Sequence, residues 1–156
     1  MLQRIQTIYF SLVIICLGAC CTGLEFFRYV KGNEFYSFSV FGIEKGNQTD
    51  LSMYKSVPIY LTVIGLCLFT FMTLMSYKKI RKQLKWARSL FFIYLLMVIA
   101  FLIYSALGKG MYFEDGATQE LGLGYFLFIA GLPFSFLALI GVKKDKNLLD
   151  SLDRLR

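Results

Sequence analysis

Carboxylates are the first residues to weigh, because a pair of them at the right separation is enough to hydrolyse a glycosidic bond. Seven of the ten acids, Glu25, Glu34, Glu44, Asp50, Glu114, Asp115 and Glu120, fall in two stretches between apolar runs. Their spacing pairs none of them with a partner, and Glu114-Asp115-Gly116 reads as a turn. The chain has no histidine, which removes the commonest general base and the commonest metal ligand. Cys16 and Cys20 stand one helical turn apart, with Cys21 beside them and Cys67 further on. Without a histidine or a nearby acid they make a poor metal site, and apolar neighbours keep such thiols protonated and inert. A disulfide through Cys20 or Cys21 is the alternative. The hydroxyls of Thr62, Thr70, Thr73, Ser76 and Ser105 are expected to bond the preceding helical turn. These residues predict a protein that is not an enzyme and holds no cofactor or metal.

Recognition has more to work with. Lys78, Lys79, Arg81, Lys82, Lys85 and Arg88 crowd into eleven residues with no acid among them and Trp86 in their midst. Near a membrane each such base is attracted to anionic headgroups by about 1 kcal/mol. An acidic partner or RNA would present similar charge, but no base-reading module accompanies the run, which argues against nucleic acid. Leu148, Leu149, Leu152 and Leu155 recur at helical spacing, predicting an amphipathic tail helix for headgroups or for another protein. Gly18 with Thr22, Ala19 with Gly23 and Gly131 with Ser135 are small residues four apart, which let helix backbones approach, within one chain or between copies. Pro133 removes a hydrogen bond in mid-helix and predicts a kink.

The elements that carry these residues follow from hydropathy. Hydrophobic residues make up 57% of the 156 and charged residues 17%, against about 45–50% and about 25% in soluble domains. Four segments free of charge, residues 8–24, 57–77, 89–107 and 122–142, approach the roughly 20 residues needed to cross a bilayer. The expected fold is therefore an all-α membrane protein, one domain over 1–156, built as a four-helix bundle. Twelve of the seventeen bases flank the spans at the N-terminus, in residues 78–88 and in residues 143–156; five lie in residues 25–56 and 108–121. The positive-inside rule then puts both termini in the cytoplasm. Arg4, the first apolar run and Leu17-Gly18-Ala19-Cys20 also imitate a lipoprotein signal. A retained first helix is the simpler account beside three further spans.

The outer stretch 25–56 carries strand chemistry. Phe26 to Val30 and Phe35 to Phe41 are rich in aromatic and β-branched residues around Lys31-Gly32-Asn33-Glu34, predicting a β-hairpin cap. In the second arm Tyr36, Phe38 and Val40 alternate with Ser37 and Ser39, so one face should be buried. Residues 42–56 read as a polar loop holding the sequon Asn47-Gln48-Thr49, and Pro58 as the start of the second helix. The second outer stretch, 108–121, is expected to add a short strand to the hairpin.

Three stretches carry a family resemblance: Met1-Leu2-Gln3-Arg4-Ile5-Gln6-Thr7-Ile8-Tyr9, the basic stretch Tyr77 to Lys85, and Lys144 to Arg156, ending Leu152-Asp153-Arg154-Leu155-Arg156. Together they resemble the four-helix membrane proteins of Bacteroidota grouped as domain-of-unknown-function family 4293. The resemblance implies a Gram-negative inner membrane with a periplasmic outer side, and it carries over no activity, ligand or catalytic residue. The expected role is an accessory subunit of a larger inner-membrane complex, with protein export as one setting, in contact with the bilayer, anionic headgroups and other subunits. A homo-oligomeric channel or facilitator is the alternative.

Overall fold

The computed structural model describes residues 5–31, 34–45, 48–49, 59–112 and 118–154. An apolar helix, α1 (Ile5–Cys20), opens it and stops four residues before the expected end of the first span. The cause is local. Gly23 adopts a φ of 87°, a conformation that ends helices and that side chains resist. Strand β1 (Glu25–Lys31) starts two residues later and pairs with β2 (Glu34–Ser39), their last pair being Lys31 with Glu34. This is the expected hairpin.

Two further strands, β3 (Gly42–Lys45) and β4 (Gln48–Thr49), replace part of the stretch read as polar loop. Hairpin pairing of β3 with β2 supplies the backbone partners that composition alone does not reveal. Of the sequon, Asn47 lies outside the described residues, as does Pro58, and α2 begins at Ile59. Helix α2 (Ile59–Met75) passes through a short 3-10 turn, Ser76–Lys78, into α3 (Ile80–Tyr112). After α3 comes β5 (Thr118–Leu121), which pairs with β1 as expected, and then α4 (Leu123–Arg154). The Glu114-Asp115-Gly116 turn lies outside the described residues. One five-stranded sheet results, in the order β4-β3-β2-β1-β5.

Three helices, α2 with its 3-10 extension, α3 and α4, are long and apolar enough to cross a membrane. At about 1.5 Å per residue the 16 residues of α1 span about 24 Å, and the 33 and 32 residues of α3 and α4 about 50 Å each. The last two therefore overrun a hydrocarbon core of about 30 Å. Much of the basic stretch 78–88 is accordingly the start of α3, and the tail after residue 142 is α4 continued to Arg154. Hydropathy marks where a helix meets water; it does not mark where the backbone stops being helical. Helix α4 also runs through Pro133 without a break.

Alternation along β1 predicts that Phe26 and Phe27 point to opposite sides, yet both are fully buried. A bulge between Glu25 and Phe27 in the pairing with β2 accounts for it, because one extra residue re-aims its neighbour. Phe26 stacks on Phe101 of α3 at 5.4 Å and meets Phe128 of α4 at 6.0 Å. Phe27 packs on Phe38 and Tyr125. With Tyr94 and Phe128 at 5.2 Å, these rings fill the middle of the bundle. Phe38 and Val40 are buried as the expected inner face requires and Tyr36 is half-buried, but Ser37 and Ser39 are buried too. Both are short side chains on the central strand of the sheet, with longer neighbours beside them, such as Arg28 opposite Ser37.

Candidate functional site

Polar groups mark the two ends of the bundle. At the sheet end, the Tyr29 hydroxyl donates to the Ser105 carbonyl of α3 at 3.1 Å, and the Gln119 amide of β5 donates to the Ser105 hydroxyl. Ser105 thus joins the sheet to α3, in contrast to Thr62, Thr70, Thr73 and Ser76, which bond their own preceding turns as expected. On the outer face Arg28 makes a two-bond pair with Glu25, at 3.1 and 2.9 Å. The hydrogen bond to Glu25 and its negative charge push the guanidinium pKa further up, so Arg28 is a fixed cation. These are contacts of assembly, and no nucleophile with an adjacent base is among them.

At the opposite end lies a groove of about 560 Å³ between the starts of α1 and α3 and the later half of α4. Ile5, Gln6 and Tyr9 line it from α1, Ile80 from α3, and Leu137, Ile140, Gly141, Lys144, Asp145, Leu148 and Leu149 from α4. The spacing of α1 explains why Gln6 is there: it continues the buried row of Phe10, Val13, Leu17 and Cys20 toward the N-terminus. A Cβ on Gly141 would sit 3.1 Å from the Gln6 Cβ, so the glycine is what lets α1 come this close to α4. Gln6 is 2% exposed, and neither its Nε2 nor its Oε1 has a hydrogen-bond partner. Such an unmet amide costs about 1–3 kcal/mol for each group.

Gln83, on the first turn of α3, is likewise 2% exposed with an unpartnered Oε1. Neither glutamine stood out in the sequence, because both fall just outside the most hydrophobic windows. Extending the helical period would have found them: Gln83 is in phase with Ala87, Leu90 and Tyr94, all buried.

The expected contact residues gather around this groove. Leu148 and Leu149 line it, while Lys78, Lys79, Arg81, Lys82, Lys85 and Arg88 are all exposed on the α2–α3 turn and the start of α3, the stretch from which Ile80 reaches the groove. Lys82 lies 5.0 Å over the Trp86 ring, which stacks on Phe69 of α2 at 5.7 Å. Asp150 is 3.9 Å from Arg81 and 3.7 Å from Lys146, surface pairs worth at most about 1 kcal/mol each. The side chain of Leu152 and the whole of Leu155 lie outside the described residues.

The small-residue pairs separate into two kinds. Gly131 and Ser135 are buried in the helix interface; a Cβ on Gly131 would collide with the Tyr94 hydroxyl, which donates to the Phe128 carbonyl at 2.8 Å. Gly18 has nothing within 4 Å of where a Cβ would stand, and Thr22 bonds only its own helix, through the Ala19 carbonyl. Gly23 serves to end α1, and of the two uses open to these pairs, within one chain or between copies, the exposed Gly18 position shows no helix contact among the described residues. Cys16, Cys20, Cys21 and Cys67 are free thiols. Among the described residues no cluster of three histidine, cysteine, aspartate or glutamate side chains is placed to hold a metal.

One protein family matches nearly the whole chain, over residues 2–155; its description reads Domain of unknown function (DUF4293). No curated protein matches.

Proposed function

The chain belongs to the family described as Domain of unknown function (DUF4293), and on that premise we propose that it is a non-enzymatic accessory subunit of an inner-membrane complex. It crosses the membrane four times with both termini in the cytoplasm, the sheet in the periplasm and the groove at the cytoplasmic face. The observation that carries this reading is the division of the molecule into a plugged middle and two polar ends. Phe26, Phe101, Phe128 and Tyr94 pack at 5.0–5.4 Å along the axis, filling the space through which a solute would pass. No ionised side chain enters the spans, whereas ion-coupled transporters usually carry one there. What is left to recognise a partner is the sheet, the groove and the exposed bases around it. A protein-export assembly is one complex that uses such parts.

Cross-linking of intact cells followed by mass spectrometry tests the proposal. Links from Lys82 or Lys146 to one recurrent membrane protein are expected; a chain recovered as a lone monomer, without links, would sink it. The open surface at Gly18 favours a second reading, a homo-oligomer built around α1, in which a pathway would run between copies. Mild-detergent purification as a symmetric oligomer would select that reading instead.

A further inference from the structure

The groove at the basic end asks for a ligand of a particular kind. Its floor, Ile5, Leu137 and Ile140, is apolar, and its mouth carries one cation and one anion, Lys144 and Asp145, on the continuation of α4 beyond the apolar span. Among the described residues neither of the two is engaged in an ion pair; the neighbouring acid Asp150 takes Arg81 and Lys146. Gln6 lines the same groove, about 98% buried, with a donor and an acceptor both unused that a ligand reaches once the side chain turns outward. A buried amide at the edge of hydrocarbon is retained at a cost unless something supplies the complementary groups. The volume, about 560 Å³, is in the range of about 300–1,000 Å³ common for small-molecule sites.

We infer that this groove binds the headgroup of a zwitterionic phospholipid bearing a primary ammonium, with the acyl chains laid along Ile5, Leu137 and Ile140. The phosphate meets the Lys144 ammonium and the Gln6 Nε2 donor. The ammonium meets the Asp145 carboxylate and the Gln6 Oε1 acceptor. One ligand thereby satisfies both charges and both halves of the amide, which a purely anionic headgroup does not, since it would lie against Asp145. A choline headgroup carries the same two charges but no N–H, so it cannot donate to either acceptor. The inference rests on the bilayer placement of the helices and is independent of any partner subunit.

Native mass spectrometry of the full chain in a mild nonionic detergent tests it, using ethanolamine, choline and glycerol phospholipids of identical acyl chains at equal concentration. The ethanolamine lipid should be retained at least about tenfold better than the choline lipid, the loss of charge-assisted hydrogen bonds being worth that much. Gln6→Leu and Asp145→Asn should each bring its retention down to the choline level while helical circular dichroism is unchanged. Equal retention of ethanolamine and choline lipids would overturn the inference. So would preference for the glycerol lipid, or full selectivity surviving in Gln6→Leu. Should Gln6→Leu fail to fold, Asp145→Asn and Lys144→Gln decide the matter alone. A chain that stays dissolved without detergent refutes the membrane reading itself, an outcome distinct from lost lipid selectivity.

Discussion

Replacing Gly131 by alanine places a methyl group where the Tyr94 hydroxyl already is. Both residues are buried, and Tyr94 is held by its bond to the Phe128 carbonyl at 2.8 Å, so the ring has nowhere easy to go. Overpacking of this kind costs about 1–3 kcal/mol. Alanine gains back about 0.8–1 kcal/mol of helix propensity over glycine, leaving a net loss of about 0–2 kcal/mol for Gly131→Ala. Tyr94→Phe alone forfeits one hydrogen bond, about 0.5–1.5 kcal/mol. In the double variant the hydroxyl is gone, and the nearest ring atom stands 2.9 Å from the new methyl, still tight but correctable by a small shift. The double variant should therefore be no less stable than Gly131→Ala alone, giving a coupling of about 1 kcal/mol or more. Reversible unfolding in mixed micelles, followed by helical circular dichroism, measures all four corners of the cycle. If the two losses simply add, to within about 0.5 kcal/mol, the packing account of Gly131 is wrong.

Tyr29→Phe and Ser105→Ala should each cost about 0.5–1.5 kcal/mol and raise proteolysis within the sheet, the first by losing the bond to the Ser105 carbonyl and the second by losing the bond from the Gln119 amide; a change in neither stability nor proteolysis for either variant would contradict the tie between sheet and α3. The chain has a single tryptophan, and Trp86 fluorescence should be quenched more by lipids brominated near the carbonyls than near the chain ends, because the residue sits between Lys82 and Phe69 at the edge of the apolar span. In a variant lacking native cysteines, a thiol at Glu120 should react with an impermeant maleimide on intact spheroplasts and one at Lys85 should not; the reverse result would invert the proposed orientation. Gly18→Leu should leave unfolding free energy unchanged or raise it by up to about 1 kcal/mol, as an added Cβ meets no neighbour within 4 Å and leucine is the better helix former; loss of an oligomer in that variant, by size-exclusion chromatography, would strengthen the homo-oligomer reading.

The apolar helices and the hairpin were legible in the sequence because each has a strong one-dimensional signature: uncharged runs in the one case, and aromatic arms around Lys31 to Glu34 in the other. Helix ends were legible only in part: leucine spacing announced a helical tail, which α4 supplies as far as Arg154, but neither its continuity with the apolar span nor the helicity of the polar stretch Ile80 to Arg88 is marked by hydropathy. Strands β3 and β4 escaped notice because their stability lies in backbone pairing with β2, which short polar segments such as Gln48-Thr49 do not advertise. The doubled burial of Phe26 and Phe27 depends on a bulge, a three-dimensional event that strict alternation forbids. At the groove, the leucines and the bases were in view from the start. Gln6 was not, because a lone amide beside a basic terminus looks like surface until α1 is seen against Gly141.

Strand β5 comes from the connection between α3 and α4, yet it zips onto β1 from the connection between α1 and α2. The two halves of the molecule are thereby stapled together at that end, and the staple resists opening as a clothes-peg's spring does. At the far end the halves are joined by the tight turn at Ser76–Lys78, their covalent link, and by the close approach of α1 to α4 at Gln6 and Gly141, so the bundle is fastened at both ends and its helices have little room to splay.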